Sequence, residues 1–141
     1  MIGNNYLYFL NGLIRYYKPK KILEVGVASG GSSCVILNAI KDIKGARLYS
    51  IDRATNSPFH SNTKIGENVH KYFPQLENIW TLYTNGTVAQ FIEKIGGEID
   101  FVYLDSAHVT PGELLDFLMI LPFLKEKAVI AFDDLLLHFD K

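Results

Sequence analysis

Cysteine is nearly missing from these 141 residues: Cys34 stands alone. No internal disulfide can form, so the fold must rest on its apolar core. A lone thiol on an apolar stretch suits a reducing compartment. Charge imbalance is missing too. Fourteen Lys and Arg stand against fifteen Asp and Glu, with no basic run and no interleaving of basic and aromatic residues. That argues against nucleic acid as the main partner. Long apolar runs are absent: the most apolar segment, Leu114–Leu124, contains Asp116 and Pro122 and is too short to span a bilayer. Met1–Tyr17 lacks the basic region, apolar run and small-residue cleavage site of a secretion signal. The expectation is a cytoplasmic protein with no membrane partner. What is present is 48% hydrophobic and 21% charged residues, enough for one domain over residues 1–141 with a real core.

Strand and helix patterns alternate along the whole chain. Tyr6, Leu10, Leu13, Ile14 and Tyr17 share one face of a leading amphipathic helix. Strands are expected at Lys21–Val25, Arg47–Asp52, Ile79–Tyr83, Ile99–Asp105 and Ala128–Asp133. Between them, helices use Val35, Ile36, Ala39, Ile40 and Ile43; then Ile65, Val69, Tyr72 and Phe73; then Val88, Phe91, Ile92 and Ile95. A last helix opens at Pro111 and is expected to bury Leu114, Phe117, Leu118 and Leu121. Such a βαβ series gives an α/β fold with a parallel sheet, right-handed crossovers and helices on both faces. The run Ile99–Leu104, apolar except for Asp100, and the continuously apolar Ala128–Phe132 read as central strands covered on both sides.

The chemistry gathers at the strand ends. In Ile22-Leu-Glu-Val-Gly-Val-Ala-Ser-Gly-Gly-Ser-Ser33 a buried strand runs through Gly26, Gly30 and Gly31 into a helix. Glycines there let a ligand lie against the main chain. Glu24 places an acceptor beside the turn, which favours a ligand bearing positive charge or donors and repels dinucleotide phosphates. Asp52 ends strand two, Asn85 follows strand three, Asp105 ends strand four, and Asp133-Asp134 end strand five. Parallel sheets bind ligands at this edge, where strand order reverses. The ordinary readings are a loop-capping Asp52 and a plain Asn85-Gly86 turn.

Here the chain resembles the class I S-adenosylmethionine-dependent methyltransferases, above all their metal-dependent O-methyltransferase branches of catechol and macrolide-sugar type. Glu24-Val-Gly26-(three residues)-Gly30 matches the first family motif, Asp52 the ribose-holding position, Asp105-Ser-Ala-His108 the motif after strand four, and Phe132-Asp-Asp134 the metal-ligand pair. The resemblance runs from about Lys20 to Asp134. It implies a Rossmann-like sheet of order 3-2-1-4-5, with S-adenosylmethionine held by Glu24, Gly26, Gly30, Ser32, Asp52 and Asn85. Ala28 departs from the family's frequent middle glycine, and Lys125-Glu-Lys127 from its proline-glycine turn. The chain stops at Lys141, C-terminally truncated relative to the seven-stranded family fold. Strand five then lacks its neighbours, so a homo-oligomer or membership of a longer chain is expected.

Strands four and five should lie about 4.8 Å apart, so carboxylates at their ends converge and repel. An all-oxygen site of Asp105, Asp133 and Asp134 suits Mg²⁺. Alternatively, Asp133-Asp134 cap a following helix. His108 can take a proton from a substrate hydroxyl, with Asp105 as the other candidate base. The ordinary reading of His108 is a surface residue, as for His60, His70 and His138. The expected reaction is methyl transfer to a small hydroxylated substrate; the resemblance implies a sugar or aromatic alcohol. Two rivals stay open: a nicotinamide-dependent Rossmann enzyme, which wants Gly-x-Gly-x-x-Gly where Gly26 is followed by Val27-Ala28, and a non-catalytic cofactor-binding fragment.

Overall fold

Five strands and five helices alternate where the apolar pattern puts them; the computed structural model describes residues 5–58, 62–106 and 111–133. The strands are β1 (Lys21–Val25), β2 (Arg47–Ile51), β3 (Trp80–Tyr83), β4 (Ile99–Leu104) and β5 (Leu124–Phe132). They form one parallel sheet of order β3-β2-β1-β4-β5, as expected. The helices are α1 (Asn5–Tyr17), α2 (Gly31–Ile40), α3 (Glu67–Tyr72), α4 (Val88–Ile95) and α5 (Gly112–Ile120).

Strand alternation divides the core into two layers. Ile22, Leu48, Phe101 and Tyr103 pack with Leu10 and Ile14 of α1, Ile36, Leu37 and Ile40 of α2, and Val69 of α3. Leu23, Val25, Ile51, Val102 and Leu104 pack with Val88, Ile92 and Ile95 of α4 and Ile120 of α5. Helices therefore cover both faces.

Three expectations need correction. Proline ends the third helix early: α3 stops at Tyr72 and Pro74–Ile79 form a 3-10 turn, so Tyr72 is exposed and β3 starts at Trp80. β5 begins at Leu124 and includes Lys125-Glu126-Lys127, all exposed. Among the described residues it is a sheet edge, and Val129, Ile130 and Ala131 are half-buried, not covered like a central strand. In α5 the apolar period holds but its outer side finds no layer among the described residues. Ile120 is buried and Phe117 packs on the core, while Leu114, Leu118 and Leu121 are exposed with Leu115 and Met119. No helix of the described residues is long and apolar enough to cross a membrane.

Candidate cofactor and substrate cavity

The turn after β1 needs backbone angles that L side chains rarely adopt: Gly26 has φ +93° and Gly30 φ +91°. At Gly26 a Cβ would overlap the main-chain carbonyl of Asp105, across the point where strand order reverses between β1 and β4. At Gly30 a Cβ would press on the main chain of Gly66. Ala28 sits at φ 49°, a strained angle that a glycine would accept without cost.

The carboxylate of Asp52 holds this turn in place. Its Oδ2 accepts the backbone N–H groups of Val27 and Ala28 at 2.9 and 3.0 Å, and its Oδ1 accepts the N–H of Ala54 at 2.8 Å. Two amides of the turn, ahead of the N-terminus of α2, are thus already given to a fixed anion. Farther along, Gly66 N–H donates to Ala28 O and Asn68 N–H to Ser29 O, bracing the turn from the outside.

Glu24 is not beside the ligand space; it lies beneath it. Alternation along β1 sends its side chain the same way as Ile22, under the first turn of α2. There it is fully buried: Oε1 accepts the Ser32 hydroxyl at 2.5 Å, and Oε2 accepts those of Ser33 and Ser50 at 2.6 and 2.7 Å. The Trp80 indole N–H donates to Ser50 Oγ at 2.9 Å, which leaves the Ser50 proton for Glu24. Burial pushes the Glu24 carboxyl above its ordinary range, the three serine hydrogen bonds oppose the rise, and the charge of Asp105 adds to it.

Above the turn is a cavity of about 640 Å³ at the carboxyl ends of the strands. Gly26, Ser32, Asp52, Asp105 and Asp133 line it together. Gly30 shapes the turn behind it. Asn85 adopts the left-handed angle of a turn residue (φ 60°) and is exposed, while Thr87 and Val88 of the same connection reach the cavity. His108 and Asp134 lie outside the described residues, as do His60 and His138. His70 is a surface residue paired with Glu77 at 2.7 Å.

Asp105 and Asp133 follow the paired residues Leu104 and Phe132, so the two carboxylates stand on neighbouring strand ends. The Tyr103 hydroxyl donates to Asp133 Oδ2 at 2.8 Å. Among the described residues, no group of three or more His, Cys, Asp or Glu is placed to hold a metal ion. Two carboxylates nevertheless match the donor set of a hard cation, since Mg²⁺ is commonly held by one or two and keeps several waters.

Sequence reasoning missed several cavity residues. Tyr6, read as a core position of α1, lines the cavity, as do Arg53, Asn68, Ser106 and Asp116 of α5. Burial raises the Asp116 carboxyl, and the Ser106 hydroxyl and then the Arg53 charge counter the rise. These residues come from distant segments, and only the folded sheet brings them together. The described lining includes four aspartates (Asp52, Asp105, Asp116 and Asp133) against Arg53, a field that favours a cationic ligand.

Residues 23–135 match the family model described as a methyltransferase domain, and the chain belongs to that family. Its fold is that of O-methyltransferases. TomG of Streptomyces achromogenes, an O-methyltransferase of tomaymycin synthesis solved with SAM, superposes with a TM-score of 0.78 at 17% identity, over 97% of this chain and 58% of that one. The O-methyltransferase of Bacillus cereus, solved with SAH, gives 0.74 at 20% identity over 96% and 59%. A SAH-bound methyltransferase of Podospora anserina gives 0.73 at 22% over 96% and 55%. The chain thus spans less than two thirds of these neighbours' length. No curated protein matches the sequence.

Proposed function

We propose that this domain binds S-adenosylmethionine in the cavity and serves methyl transfer to a hydroxyl of a small substrate, a sugar or an aromatic alcohol. The observation that carries this is Asp52. Fixed beside the turn, its negative charge disfavours the phosphates of a nicotinamide cofactor, and with the other lining aspartates it favours a sulfonium cation. The cavity volume also falls within the range of small-molecule sites.

The bound donor supplies an electrophilic methyl group, whose sulfur leaves as a neutral thioether. The chain's own residues supply orientation. The turn from Gly26 to Gly31 and Asp52 hold the donor, so that its methyl lies in line with the incoming oxygen. Asp105, or His108, takes the proton from the substrate hydroxyl as that oxygen takes the methyl. Asp105 and Asp133, with Asp134, are the residues that would hold Mg²⁺, which when bound lowers the pKa of a coordinated hydroxyl.

Transfer of labelled methyl from S-adenosylmethionine to catechol and hexose acceptors, with and without chelator, tests the reading. Chelator-sensitive transfer supports it. Unimpaired transfer in excess chelator would remove the metal, and binding of the donor with no transfer to any acceptor would favour a non-catalytic cofactor-binding module.

A further inference from the structure

Tyr103 is not among the residues that line the cavity, yet it is hydrogen-bonded to one that is. Its ring is 3% exposed and packs in the core layer with Leu10, Ile14 and Ile36, so the position of its hydroxyl is set by the interior. That hydroxyl donates to Asp133 Oδ2 at 2.8 Å, and Asp133 lines the cavity. Asp133 sits at the end of an edge strand. Its backbone is tied by its N–H to Leu104 O at 2.9 Å, on the β4 side. Its strand end also lies beside that of Asp105, so two carboxylates of like charge sit on neighbouring strands and repel one another. A core-anchored donor counters that push. Asp105 and Tyr6 also stand near this phenol, but its hydrogen bond goes to Asp133.

We propose that Tyr103 is a positioning residue: its core-anchored hydroxyl aims the Asp133 carboxylate into the cavity and holds it next to Asp105, ready to bind a divalent cation. This rests on the reading of Asp133 as a metal ligand, and the test separates the two.

Removing only the oxygen, as in Tyr103→Phe, leaves the ring in the core. The 141-residue chain is titrated with Mn²⁺, followed by the magnetic resonance signal of the free ion, in the wild type, Tyr103→Phe, Asp133→Asn and the double variant. Groups that orient a metal ligand are commonly worth 10–100-fold in affinity, and Tyr103→Phe should weaken Mn²⁺ binding by about that factor. S-adenosylhomocysteine binding should stay within about twofold, because the donor lies toward β1 and β2. In the Asp133→Asn background the loss of the hydroxyl should cost little further, because the carboxylate charge that it positions is already gone. Ile36→Val, in the same core layer, controls for stability: it should lower the melting temperature without touching Mn²⁺ affinity. Wild-type affinity in Tyr103→Phe alongside a clear loss in Asp133→Asn would make Tyr103 a core filler only. Wild-type affinity in both would overturn the metal reading of Asp133 itself, and the positioning role with it.

Discussion

Replacing Glu24 by glutamine should leave the fold intact and remove a pH dependence from its stability. The carboxyl is fully buried, with one hydroxyl on Oε1 and two on Oε2. A glutamine amide nitrogen in place of Oε1 meets only Ser32, whose hydroxyl can turn to accept, and the carbonyl keeps Ser33 and Ser50. The sign follows from burial. The folded carboxyl binds its proton more tightly than the unfolded one, whose ordinary value is 4.5. Between that value and the raised one, the folded state keeps a proton that the unfolded state gives up. The stabilisation is complete below pH 4.5 and is lost as pH climbs through the folded pKa, at up to about 1.4 kcal/mol per pH unit for one proton. Urea unfolding of wild type and Glu24→Gln across this range reads the term, because groups not coupled to Glu24 cancel in the difference. Glutamine should gain on wild type as pH rises above 4.5 and then level off. Parallel curves would refute the reasoning. Glu24→Ala is a different experiment: each of the three hydroxyls left without an acceptor costs about 1–3 kcal/mol, a serious fraction of a domain's stability of about 5–15 kcal/mol.

Other substitutions probe the turn and the core. Gly26→Ala should cost at least the 1–2 kcal/mol or so of a left-handed alanine, with the overlap on the Asp105 carbonyl added; a melting temperature equal to wild type would contradict the geometry. Asp52→Ala should weaken S-adenosylhomocysteine by about 1–3 kcal/mol and, by releasing the amides of Val27 and Ala28, raise affinity for pyrophosphate; calorimetry reads both, and an unchanged pair of affinities would remove Asp52 from the site. Burial pushes the Cys34 thiol up to about 11, so its reaction with a disulfide reagent should be slow at neutral pH and accelerate until pH passes that value, whereas fast labelling at pH 7 would place the thiol in an open site.

The sheet was legible because β1, β2 and β4 are short, mostly apolar segments of strand length, and each has a helical period on either side. The glycine turn was legible for the same reason, since a strand, three glycines and a helix leave few alternatives. Which way a side chain points was harder. Glu24 is close to the turn in sequence, but its parity with Ile22 sends it under α2. The serines at 32, 33 and 50 were the available sign that it is a buried acceptor. Asp52 was placed correctly at its strand end, yet its partners are main-chain amides 24 and 25 residues away, which no local pattern reveals. The apolar period of α5 located the helix without saying how much of it would be covered, and that depends on what lies beside β5. Tyr6, Asp116 and Tyr103 belong to the cavity or its support only through the sheet that assembles them.

The central claim is that the cavity between the glycine turn and Asp52 takes a sulfonium donor and not a dinucleotide. Calorimetric titration of the 141-residue chain with S-adenosylmethionine, S-adenosylhomocysteine and NAD tests it most directly. The account predicts saturable binding of the first two, weakened by Asp52→Ala, and no measurable heat from NAD. Tighter binding of NAD than of S-adenosylhomocysteine would contradict it.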